Sequence, residues 1–124
     1  MNIVLWILQV LLAILFLMAG VNHGFRFEAI KDDPRMVWVN AVPRGLLTFI
    51  GIAEILGALG VVLPAATDIL PWLTPLAASL LAIMMLLAAI FHATRREYPA
   101  IAINLILFAL AAFVAYGRIE IEPF

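Results

Sequence analysis

The 124-residue sequence is 67% hydrophobic and 12% charged, with a formal net charge of −1 and no cysteine. The near-neutral balance excludes the basic footprint of a nucleic-acid binder. The missing thiols exclude dithiol redox chemistry, disulfides and thiolate metal sites.

A soluble domain is about half apolar and about a quarter charged, so a mean hydropathy of +1.19 points to a chain whose solvent is lipid. Four apolar stretches, at residues 2–21, 46–64, 72–92 and 100–117, each approach the length that crosses a bilayer. The first has no Lys or Arg in Met1-Asn2-Ile3-Val4 and is longer than a signal-peptide apolar core, so it reads as a membrane helix. The connection Asn22–Gly45 follows. It mixes polar Lys31-Asp32-Asp33-Pro34 with oily Phe25, Phe27, Ile30 and Met36-Val37-Trp38-Val39. Such a segment lies along the headgroups with its apolar side in lipid, or forms a lid over a pocket between helices.

The second stretch carries a lone carboxylate, Glu54, in an otherwise uncharged run from Gly45 to Pro64. An acid at that depth costs roughly 2–4 kcal/mol and marks a functional site by default. The third stretch ends near His92, before Arg95 and Arg96. The fourth opens after Tyr98-Pro99 and contains Asn104. Prolines near helix starts and cations after a helix end suit these boundaries. Trp6, Trp72 and Tyr116 mark one interface and Tyr98 the other.

The expected fold is all-α: one domain, an up-down-up-down bundle of four transmembrane helices with a long first connection. Six of the seven basic residues (Arg26, Lys31, Arg35, Arg44, Arg95, Arg96) lie in the first and third connections, against Arg118 on the other side. The positive-inside rule then puts both termini outside and those connections in the cytoplasm of a bacterial inner membrane.

Helical spacing gives each span a polar stripe. The stripes are Gln9, Ala13, Phe16, Gly20 and His23; Gly51, Glu54, Gly57 and Ala58; Ala78, Ala82, Met85, Ala89 and His92; and Ala100, Asn104, Phe108, Ala111 and Ala115. By rise per residue, Glu54 lies about 12 Å inside the connection-side boundary and Asn104 about 6 Å. The opposite half contributes only Gln9 and Ser79. A polar pocket open toward one leaflet follows, with Glu54 and His92 as candidate catalytic groups and Asn104, His23 and Asn22 as candidate ligand contacts.

Each has a plainer reading. Glu54 hydrogen-bonds Asn104 or a backbone carbonyl and holds helices together; Asn104 and Gln9 are interhelical hydrogen-bonders; His92 is interfacial and His23 solvated at a helix end. A carboxyl beside an imidazole can exchange protons with an oily substrate. Two histidines at similar depth can in principle clamp a haem, but no supporting motif accompanies them. No phosphate loop, nucleophile motif or metal-binding pattern is present.

Leu17-Met18-Ala19-Gly20-Val21, the run from Ile50-Gly51-Ile52-Ala53-Glu54 to Gly57-Ala58-Leu59-Gly60, and Phe91-His92-Ala93-Thr94-Arg95-Arg96-Glu97-Tyr98-Pro99 together resemble the DoxX-like group of small four-helix membrane proteins. Members usually carry a Lys after the first helix, in a Gly-x-x-Lys-Leu setting. Here the stretch is Gly20-Val21-Asn22-His23-Gly24. If that Lys pairs with the acid, His23 is its pH-dependent substitute. The resemblance implies a role beside membrane oxidoreductases, the group's name deriving from a subunit linked to thiosulfate:quinone oxidation. Related four-helix folds include sterol-type isomerases and assembly chaperones.

The function expected is therefore binding of a lipophilic small molecule, a quinone for instance, in a redox system. An acid–base isomerase acting on a lipid-like substrate and an assembly factor are the alternatives. Membrane lipids, a homo-oligomer or an oxidoreductase are the expected partners.

Overall fold

The computed structural model describes residues 1–124. Its long helices are α1 (Asn2–Phe25), α3 (Arg44–Gly60), α5 (Leu73–Thr94) and α6 (Tyr98–Tyr116). Short helices α2 (Phe27–Ile30) and α4 (Leu63–Thr67) lie between them, a 3-10 turn spans Val37–Ala41 and a π-helical turn spans Gly117–Ile121. There are no strands. Four segments, Asn2–Phe25, Arg44–Thr67, Leu73–Thr94 and Tyr98–Ile121, are long and apolar enough to cross a membrane. Their outer faces expose Ile7, Phe49, Leu56, Leu87 and Ile106, each more than half accessible. Water would not tolerate so continuous an apolar shell; lipid does. This is an integral membrane protein.

The inward faces match the expected stripes. Ala78, Ala82, Met85, Ala89 and His92 are all buried on α5, and Asn104, Ala111 and Ala115 on α6. Leu12, Phe16, Ala58, Val61, Leu81, Met85 and Val114 belong to the central core, contributed by all four spans.

Neighbouring helices pair in opposite chain order. Gln9 meets Val61 while Gly24 meets Gly51, so α1 and α3 run antiparallel. Gly60 meets Ala77 and Gly57 meets Leu81, so α3 and α5 do too. The closest approach is at Gly20, Gly24 and Gly51. A Cβ on Gly51 would stand 2.6 Å from the Gly20 carbonyl oxygen and from the Gly24 Cα. Only glycine lets the two backbones touch there, as small residues do in membrane helix pairs.

Two boundaries differ from the sequence reading. The first helix continues to Phe25, so Asn22, His23 and Gly24 lie in its last turns and not in the connection. The second span breaks after Gly60 and resumes as α4 at Leu63. Pro64 explains the break, because it has no N–H to give the Gly60 carbonyl. Side chains from other helices serve the loosened backbone: Thr74 Oγ1 donates to the Gly60 oxygen at 3.3 Å and Gln9 Nε2 to the Val61 oxygen at 2.7 Å.

The long first connection folds back onto the bundle. Ile30, Val39 and Leu47 form a small second core, flanked by Phe27, Met36, Trp38 and Val42. Its oily residues thus cover a bundle end, while Glu28, Asp32 and Arg35 remain exposed.

Candidate functional site

Glu54 is carried on the buried face of α3 with Leu47, Gly51 and Ala58, and is only 2% exposed. The glycine contact between α1 and α3 brings the last turn of α1 against it. His23 Nδ1 lies 2.6 Å from Glu54 Oε1. That is a short hydrogen bond. Glu54 therefore pairs with His23 and not with Asn104 or a backbone carbonyl. The solvated reading of His23 fails because the helix extends past it and turns its ring inward.

A second pair lies at the same end. Arg96 takes a left-handed φ of 57° in the tight α5–α6 connection. The turn lets the Glu97 N–H reach the His92 carbonyl at 3.0 Å. It also sets Glu97 Oε1 2.9 Å from His92 Nδ1 and 3.0 Å from Arg95 Nε. His92 is buried and Glu97 half-buried. Burial pushes the Glu97 carboxyl up, but the hydrogen bonds from His92 and Arg95, with their charges, outweigh it and hold it below the ordinary value.

Trp38, on the folded-back connection, joins the two pairs. Its ring centroid is 5.0 Å from that of His23 and 5.2 Å from that of His92, both edge-on. Glu54, His23, Trp38, His92 and Glu97 thus form a run of side chains from mid-α3 to the α5–α6 turn. The indole fills the space between the imidazoles, and each Nδ1 is engaged by a carboxylate. With the indole there, no room is left for a haem clamped between His23 and His92.

Asn104 is buried on α6 and its Nδ2 has no hydrogen-bond partner. A buried amide donor left unpaired costs about 1–3 kcal/mol, and a carbonyl on a bound molecule would satisfy it. Asn104 stands in the second turn of α6, toward the α5–α6 connection that carries Glu97. Asn22 stands apart. Its Oδ1 accepts from Arg26 Nη1 at 3.0 Å on the surface.

At the opposite end, Gln9 is fully buried and links three segments, with Nε2 on Val61 and Oε1 accepting from Arg118 Nε at 2.7 Å. Ser79 is tied to its own helix through the Pro75 carbonyl. In the sequence Arg118 figures only as the one basic residue on the termini side. It is 3% exposed. The signal for it was its place directly after Tyr116-Gly117, within one helical continuation.

The DoxX-like family model matches residues 7–114, a stretch that contains Glu54, both histidines and Asn104. The chain belongs to the DoxX-like family. No curated protein and no solved structure shows a significant match. The resemblance makes His23 a substitute for the family's Lys only if that Lys pairs with the acid; in this DoxX-like chain His23 stands 2.6 Å from Glu54.

Proposed function

We propose that this DoxX-like membrane protein holds a lipophilic small molecule of the quinone class in the half of the bundle containing Glu54, in the service of a membrane redox system. The observation that carries this reading is the His23–Glu54 pair at 2.6 Å inside an apolar bundle. The unpartnered Nδ2 of Asn104 supports it, being a donor suited to a carbonyl head group. A quinone would supply carbonyl oxygens that gain or lose protons as electrons move. The protein's residues supply orientation through Asn104 and a proton reservoir in His23–Glu54. The Trp38 indole separates that reservoir from His92–Glu97, which adjoins the surface residue Arg95. The basic-residue asymmetry supports an orientation in a bacterial inner membrane with this end toward the cytoplasm and both termini outside.

The same buried carboxyl–imidazole pair favours a second reading, acid–base isomerisation of a lipid-like substrate. One experiment separates them. Protein solubilised gently is analysed by native mass spectrometry, and its organic extract by absorbance and mass. A bound isoprenoid quinone, lost in Asn104→Leu and retained in Glu54→Gln, is the expected result. The reading is overturned if wild-type protein carries none and takes up no added short-chain quinone. Turnover of a sterol-like or isoprenoid lipid that stops in Glu54→Gln would favour the isomerase.

A further inference from the structure

We propose that the end of the bundle opposite Glu54 contains a binding site for a phosphate-type oxyanion, built around Arg118. The π-helical turn Gly117–Ile121 directs this side chain back into the protein, where Gly117 packs on Leu5. The guanidinium has five N–H donors and no acceptor. Nε donates to Gln9 Oε1 at 2.7 Å, and Nη1 to Asn2 Oδ1 at 2.7 Å and to the Glu122 carbonyl at 3.1 Å. Nη2 is buried and has no partner. No carboxylate lies within 4.0 Å of the group, and Glu122 is the acid whose charge reaches it from farther off. The oxygens that orient the cation directly are all neutral.

A buried cation with no carboxylate in direct contact is costly, and the structure invests in keeping this one. Its guanidinium lies against the Phe124 ring at 4.2 Å and the Trp6 ring at 5.7 Å. Beside it is a cavity of about 350 Å³ lined by Arg118, Pro71, Trp72, Pro75, Pro123 and Phe124. Arg118 supplies the only charged side chain in that lining. Three prolines and two aromatic rings make stiff walls that lose little freedom when an occupant enters.

The chemistry of the occupant follows from the donor and the depth. A guanidinium fork matches the paired oxygens of a phosphate or carboxylate. Trp72 and Tyr116, both exposed, mark this level as the membrane interface. The oxyanion abundant at that level is phosphate, carried by a lipid headgroup or free in solution. The site does not depend on the Glu54 centre, which lies in the other half of the bundle.

The test uses delipidated wild-type protein in dodecyl maltoside, titrated separately with inorganic phosphate, dihexanoyl phosphatidylglycerol and the phosphate-free dihexanoylglycerol. Trp6 and Trp72 fluorescence reports occupancy, and the thermal midpoint gives a second readout. Saturable binding of the phospholipid but not of dihexanoylglycerol is expected. Saturation by inorganic phosphate as well would identify free phosphate as a sufficient ligand; saturation by the phospholipid alone would identify the headgroup.

Arg118→Lys, which keeps the charge but loses the fork, should weaken binding about tenfold or more. Pro123→Trp, an exposed position outside the helices, should fill the cavity and abolish binding without unfolding the bundle. The proposal is overturned if wild type saturates with neither phosphate compound, if dihexanoylglycerol binds as well as the phospholipid, or if Pro123→Trp folds and binds like wild type.

Discussion

His23 and Glu54, thirty-one positions apart in sequence, meet at 2.6 Å where the last turn of α1 crosses the middle of α3. Neither helix could bring them together alone. The crossing depends on Gly20, Gly24 and Gly51, and the pair in turn gives the bundle's deepest acid a partner.

The pair is predicted to be coupled energetically. His23→Leu and Glu54→Leu each leave the other group buried without its partner, and each should cost about 1–3 kcal/mol. The double variant should cost less than the sum, with a coupling of about 1 kcal/mol or more. Reversible unfolding in mixed micelles measures all four proteins. Strict additivity would show that the contact contributes nothing to stability.

The glycine crossing should be intolerant of even one methyl group. Gly51→Ala would press a Cβ into the backbone of Gly20 and Gly24, which cannot rotate away as a side chain can. We expect a loss of about 1–3 kcal/mol. Gly45→Ala, with nothing within 4 Å, should be neutral or slightly stabilising through helix propensity. Thermal midpoints in detergent compare the two, and equal effects would contradict the close approach.

Acid should weaken the α5–α6 turn through Glu97. Its carboxyl is held below the ordinary 4.5 in the fold, so the folded state binds fewer protons there than the unfolded chain. That contribution is complete above about pH 4.5 and disappears as pH falls through the lowered folded value. Stability measured from about pH 7 to pH 3 should therefore show an acid limb that is shallower in Glu97→Gln. About 0.5 M salt screens the exposed Glu28–Lys31 and Asp33–Arg35 pairs, which titrate in the same direction. An acid limb unchanged by the substitution would assign the loss to other carboxylates.

Orientation can be read with fusions after Phe124. With both termini outside, alkaline phosphatase there should be active and a cytoplasmic fluorescent reporter dark. The inverse pattern would place Arg118 on the cytoplasmic side and the His23–Glu54 end outside.

Composition and periodicity by themselves determined the solvent, the class and the inward faces. Four apolar runs of bilayer length have one solution in lipid, because a helix satisfies its own backbone hydrogen bonds. The small-residue stripe through Ala78, Ala82, Met85, Ala89 and His92 was legible because residues three and four apart share a face. The lone Glu54 was legible as a site because charge is rare at that depth. Pairing was not legible, since which polar group meets which depends on crossing points between helices. Only the tertiary structure gave Glu54 to His23, left Asn104 Nδ2 unpaired, and set Trp38 between two imidazoles. It also decided the fate of Arg118. A basic residue at the end of a span ordinarily snorkels to water, but the π-helical turn and the Gln9 and Asn2 acceptors hold this one inside. That depends on residues more than a hundred positions away, a distance over which local pattern carries no information.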